Sequence, residues 1–127
     1  MKFIRAKLHG ILDYGIIFIL FIPWITNFYK ENEDTWILAA AGTFLWLISL
    51  FTDYDFGLIK LIPMKIHLLL DFLVAIFLIA LPFIFPLFDY YFFWPMLIGL
   101  GGLLITLLSS SKPYVVTEKD LNITKPY

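Results

Sequence analysis

Lys2-Phe3-Ile4-Arg5-Ala6-Lys7-Leu8-His9-Gly10-Ile11-Leu12-Asp13 returns as Lys60-Leu61-Ile62-Pro63-Met64-Lys65-Ile66-His67-Leu68-Leu69-Leu70-Asp71. Lys2, Ile4, Lys7, His9, Leu12 and Asp13 recur in register at a constant offset of 58 residues. In both copies a His and an Asp four positions apart open a long apolar run. On a helix such a pair shares one face. Self-similarity at a fixed spacing marks duplication of one supersecondary unit.

The rest of the chain sets the medium in which those units fold. Of the 127 residues 61% are hydrophobic and 15% are charged, with a mean hydropathy of +0.90. Soluble domains contain about 45–50% apolar residues. A hydrocarbon core needs roughly 20 mostly apolar residues per helix, and four stretches approach that length, near 8–29, 35–52, 64–88 and 91–110. Irregular backbone cannot face lipid. The expected fold is therefore an all-α membrane protein with four transmembrane helices arranged as two helical hairpin repeats. Repeat one covers 1–59, repeat two covers 60–112, and a polar tail follows at 113–127.

The echo continues past the opening motif. Trp36 falls on Trp94 at the same offset, and the small residues Ala39–Thr43 fall near Gly99–Gly102. Pro23 and Pro82 come late in the first and third spans, where a kink near the interface is tolerable. Spans one and three run in the same direction, so the repeats are parallel-related, about an axis along the membrane normal.

Basic residues give the orientation. Lys2, Arg5 and Lys7 precede span one, Lys60 and Lys65 precede span three, and Lys112, Lys119 and Lys125 follow span four. The first loop carries Lys30 beside Glu31, Glu33 and Asp34, and the third loop has no basic residue. The positive-inside rule places both termini in the cytoplasm. Trp24, Phe28, Tyr29, Trp36 and the run from Tyr90 to Trp94 then form an outer aromatic belt. The first apolar run continues to Tyr29 with no small-x-small cleavage site, so it reads as a retained span.

These features resemble the SPW-repeat proteins, a family of small bacterial membrane proteins with two helices per repeat. The resemblance rests on the paired hairpins, on Pro23-Trp24, and on Thr52-Asp53-Tyr54-Asp55-Phe56-Gly57 leading into Ile62-Pro63-Met64-Lys65-Ile66-His67. The name-giving serine is Ile22 here, and the second repeat keeps Pro82 with Phe83 in place of tryptophan. The resemblance implies the two-hairpin fold and a bacterial inner (plasma) membrane location. It implies no particular activity.

Chemistry has few places to reside. The absence of cysteine excludes disulfides, thiolate nucleophiles and thiolate metal sites. No Gly-rich phosphate loop, nucleophile elbow or His-Glu-x-x-His motif occurs. The net charge of −1 and a tail without a basic block give nucleic acid no purchase. Asp53-Tyr54-Asp55 has the form of a metal-binding Asp-x-Asp but fits a solvated turn, and Asn122-Ile123-Thr124 is a sequon on the cytoplasmic side. His9, Asp13, His67 and Asp71 remain. Ionisable groups within a membrane are costly and point inward, so the two pairs should meet at one depth, His9 with Asp71 and His67 with Asp13.

Several roles are open to that cluster. It can be a structural polar clamp between the hairpins. The same four residues can ligate a divalent metal, His9 and His67 can ligate a haem axially, and all four can relay protons. The leading expectation is a non-enzymatic structural or interaction module with no cofactor. Its partners would be the lipid bilayer and a second copy or another membrane protein. The alternative is a cofactor-, metal- or proton-handling membrane protein.

Overall fold

A computed structural model describes residues 4–25, 35–85 and 93–111. These form four helices, α1 (Ala6–Ile25), α2 (Thr35–Leu50), α3 (Met64–Ile84) and α4 (Phe93–Leu108), and no strand beyond two isolated bridges. At 1.5 Å per residue, α1 and α3 are about 30 Å long, the thickness of a hydrocarbon core. These two helices are long and apolar enough to cross a membrane; α2 and α4 are apolar but have 16 residues each.

Helix ends follow local chemistry. The sequence suggests that the third span reaches residue 88, whereas α3 stops at Ile84 and Phe85 is extended, with φ −113° and ψ 100°. The next residue is Pro86, whose ring disfavours helical backbone at the residue before it. Likewise α2 ends at Leu50 rather than 52, and α4 ends at Leu108 rather than 110, while its expected start at 91 lies outside the described residues. The expected ends of the first span near 29 and of the belt at Phe28, Tyr29 and Tyr90–Phe92 lie outside the described residues, as does the tail from Lys112.

Packing is strongest within each hairpin, α1 on α2 and α3 on α4. The α3–α4 crossing is close because Gly99 faces Ala75: a Cβ on Gly99 would lie 2.8 Å from the Ala75 carbonyl oxygen and 2.9 Å from Ile79 N. Ile17 and Leu20 of α1, Leu38 and Leu45 of α2, and Leu78 and Leu81 of α3 fill the centre. Between α2 and α3 the bundle opens into an apolar groove of about 660 Å³, bordered by Ala41, Phe44, Val74 and Phe77.

Two parallel backbone clasps close the other end. Ile4 N donates to Leu108 O, and Ser110 N donates back to Ile4 O, at 2.9 and 2.8 Å. Ile62 N donates to Phe51 O, and Asp53 N donates back to Ile62 O, at 2.7 and 2.8 Å. The segment before α1 is thus tied to the end of α4, and the segment before α3 to the end of α2. Arg5, Lys7, Lys60 and Lys65 gather at this end, and Trp24, Trp36 and Phe93 stand exposed at the opposite one.

Candidate functional site

The His-Asp pairs lie just inside the clasped end, on the first turns of α1 and α3. One helical turn separates His9 from Asp13 and His67 from Asp71, so both members of each pair face the neighbouring hairpin. All four are buried: the histidines are 0% exposed, Asp13 7% and Asp71 6%.

The contacts cross between hairpins. His9 Nε2 lies 2.9 Å from Asp71 Oδ2, and His67 Nε2 lies 2.9 Å from Asp13 Oδ2. The in-helix separations are longer, 3.4 Å for His9–Asp13 and 3.1 Å for His67–Asp71. The two Nε2 atoms are 3.3 Å apart, and the rings meet edge to face at 79°. One ligand atom from each of the four residues lies within 4.8 Å of every other.

Two hydroxyls fix the rings, and sequence reasoning missed both. Ser109 Oγ lies 2.6 Å from His9 Nδ1, and Thr52 Oγ1 lies 2.8 Å from His67 Nδ1. Each hydroxyl donates its single hydrogen to the carbonyl four residues back, Ser109 to Ile105 O and Thr52 to Ile48 O, both at 2.6 Å. Each must therefore accept from the imidazole, which puts a proton on Nδ1 of both rings. Nε2 is then the atom each ring presents to the centre. The clasps hold the hydroxyls in place, since Ile4 bonds the residues on either side of Ser109 and Ile62 those on either side of Thr52. A signal was present in the sequence: Thr52 and Ser109 each follow the second helix of a unit, but 57 residues apart rather than 58.

The surroundings of the two aspartates differ. Ser49 Oγ donates to Asp13 Oδ2 at 3.4 Å. Asp71 Oδ1 is buried and makes no hydrogen bond among the described residues. Asp71 and Asp13 border a cavity of about 20 Å³ whose other walls are mostly apolar, among them Ile16, Leu45, Val74 and Leu78. The ring of Tyr54 covers the cluster, 5.7 Å from His67 between centroids, over the face where Gly10 has no side chain. Burial pushes the Tyr54 phenol above its usual range, so it stays protonated.

No protein-family model, curated protein or solved structure matches the chain. Function must therefore be argued from the residues. The Asp-x-Asp stretch is a solvated turn: Asp53 and Asp55 are exposed, and Asp53 pairs loosely with Lys60 at 3.7 Å. An axial haem needs its two histidines on opposite faces of a flat macrocycle. Here the two Nε2 atoms stand 3.3 Å apart, with both carboxylates at the same place.

Proposed function

We propose that the chain is a four-span membrane protein of SPW-repeat type, built of two parallel-related hairpin repeats with both termini cytoplasmic. It acts as a non-enzymatic structural or interaction module whose His-Asp cluster is the joint between the hairpins. The crossed contacts of 2.9 Å carry this reading, because each histidine finds its nearest carboxylate on the other hairpin. Two further observations support it. Large apolar side chains such as Phe18, Phe44, Trp46, Leu73, Phe77 and Leu104 face outward, while His9, Asp13, His67 and Asp71 face inward. Soluble monomers rarely expose apolar patches beyond a few hundred Å². Arg5, Lys7, Lys60 and Lys65 collect at the clasped end and the exposed Trp24 and Trp36 at the other, the arrangement that a cytoplasmic face and an outer belt require.

As a joint the cluster must be satisfied within itself, since lipid supplies no hydrogen bonds. Removing one member strands a buried charge. Removing all four leaves an apolar seam. The test is unfolding of the chelator-treated protein in nanodiscs, comparing His9→Leu with a quadruple variant, His9→Leu/Asp13→Val/His67→Leu/Asp71→Val. His9→Leu is expected to cost about 3–5 kcal/mol, and the quadruple variant to regain most of it. A His9→Leu protein as stable as wild type would refute the joint.

A further inference from the structure

We propose that the joint is a closed divalent-cation site, bound as zinc is bound, with His9 Nε2, His67 Nε2 and one oxygen each of Asp13 and Asp71 as ligands. The inference rests on the reading of the cluster as a joint and names what fills its centre.

The first argument is the shape of the donor set. Five of the six edges among the four ligand atoms measure 2.9, 2.9, 3.1, 3.3 and 3.4 Å. Four ligands tetrahedrally placed about 2.0–2.1 Å from a zinc ion are separated by about 3.3–3.4 Å. These five edges are slightly compressed against that figure, and the sixth, between the two carboxylates, lies within 4.8 Å. A hydrogen-bonded pair needs only one short contact per nitrogen. Here each Nε2 faces two carboxylate oxygens and the other Nε2 together, a convergence that one N–H cannot serve.

The second argument is the state of the rings. Ser109 and Thr52 hold protons on Nδ1, which leaves the Nε2 lone pairs free to coordinate. A partner on the far ring nitrogen is the outer-shell device that orients metal-ligating histidines. The two hydroxyls are themselves clamped by backbone clasps, so this support comes from all four helix ends at once.

Charge gives the third argument. A doubly protonated pair would place two imidazolium cations with Nε2 atoms 3.3 Å apart. One divalent cation replaces both protons at the same net charge of zero, leaves two neutral imidazoles and two carboxylates, and removes the contact between two cations. Asp71 Oδ1, buried and without a hydrogen bond among the described residues, leaves that carboxylate free to turn toward the ion. Imidazole with carboxylate suits zinc, iron or manganese. Four protein ligands in a closed tetrahedron favour zinc in a structural role.

The test is Zn²⁺ binding by the full-length, chelator-treated protein in nanodiscs, against a chromophoric competitor, with elemental analysis after desalting. Wild type is expected to retain one Zn²⁺ per chain and to unfold at a higher temperature with it. Co²⁺ in its place should give the intense visible absorption of a tetrahedral ion. His9→Gln/His67→Gln should retain none. Because that variant can fail to fold, Thr52→Val/Ser109→Ala provides a second measure: all four ligands remain, and affinity should fall 10–100-fold. Folded wild type that retains less than a tenth of an equivalent would overturn the proposal, as would equal retention by the histidine variant. The two readings fail separately. Loss of stability in His9→Leu without zinc retention keeps the joint and removes the metal. Stoichiometric zinc, with unfolding unmoved by its removal or by His9→Leu, keeps the metal and removes the joint.

Discussion

Replacing Gly99 with alanine should separate α3 from α4, and the structure sets the size of the effect. The new Cβ would stand 2.8 Å from Ala75 O, 2.8 Å from Ile79 Cγ1 and 2.9 Å from Ile79 N. Ordinary contact begins at 3.4 Å, and two of the three obstacles are backbone atoms that no rotamer change can move. The helices must part by roughly half an ångström, and gaps of that order forfeit a quarter or more of each contact's dispersion energy. Overpacking of this kind costs about 1–3 kcal/mol. Alanine also gains about 0.8–1.0 kcal/mol over glycine in helix propensity, which opposes the loss. Gly101→Ala supplies the control, because a Cβ there meets nothing within 4 Å and the propensity gain acts alone. The difference between the two variants isolates the crossing and should be about 1–3 kcal/mol, Gly99→Ala being the less stable. Reversible unfolding in mixed micelles, followed by circular dichroism, measures it. Equal stability of the two proteins would show that α3 and α4 do not cross at Gly99.

Two further expectations concern the connection between α2 and α3. Tyr54→Phe removes a buried hydroxyl that makes no hydrogen bond among the described residues, and should leave stability at neutral pH unchanged or raised by about 1–3 kcal/mol. Burial raises the folded-state pKa of this phenol above its usual 10.0. The unfolded chain therefore ionises first, and wild type should lose stability as pH climbs past 10.0, a component absent from Tyr54→Phe in unfolding series at stepped pH. Asp53→Asn breaks an ion pair of 3.7 Å between side chains that are 62% and 60% exposed, and should change stability by less than about 0.5 kcal/mol. A larger loss on thermal unfolding would give Asp53 a role that its setting does not.

The four helices and the crossed His-Asp contacts were legible in the sequence. Identical spacing of His and Asp puts both pairs on equivalent first turns, and the high cost of lipid-facing charge sends them inward, so the crossed pairing follows before any coordinates are seen. The boundaries were harder to read. Apolar residues continue through Leu87 and Phe88, and hydropathy alone carries the third span past Phe85, although Pro86 limits the backbone there. The hydroxyls escaped notice for a different reason. Ser and Thr at a helix end usually serve the local backbone, and Thr52 and Ser109 do so through Ile48 and Ile105 while also accepting from a ring on another element. Tyr54 was visible only as the centre of an Asp-x-Asp stretch. Its contact depends on Gly10, 44 residues earlier, leaving room for the ring.

The crossed contacts also bear on how the chain is made. His9 emerges from the ribosome 62 residues ahead of Asp71, and Asp13 54 residues ahead of His67. At about 5–20 residues per second, the first hairpin waits about 3–12 s with its polar groups unanswered. During that interval any second copy of the same hairpin offers the missing His and Asp in the same register. A second copy would then compete with the chain's own second hairpin for these groups, and slower synthesis would lengthen that competition.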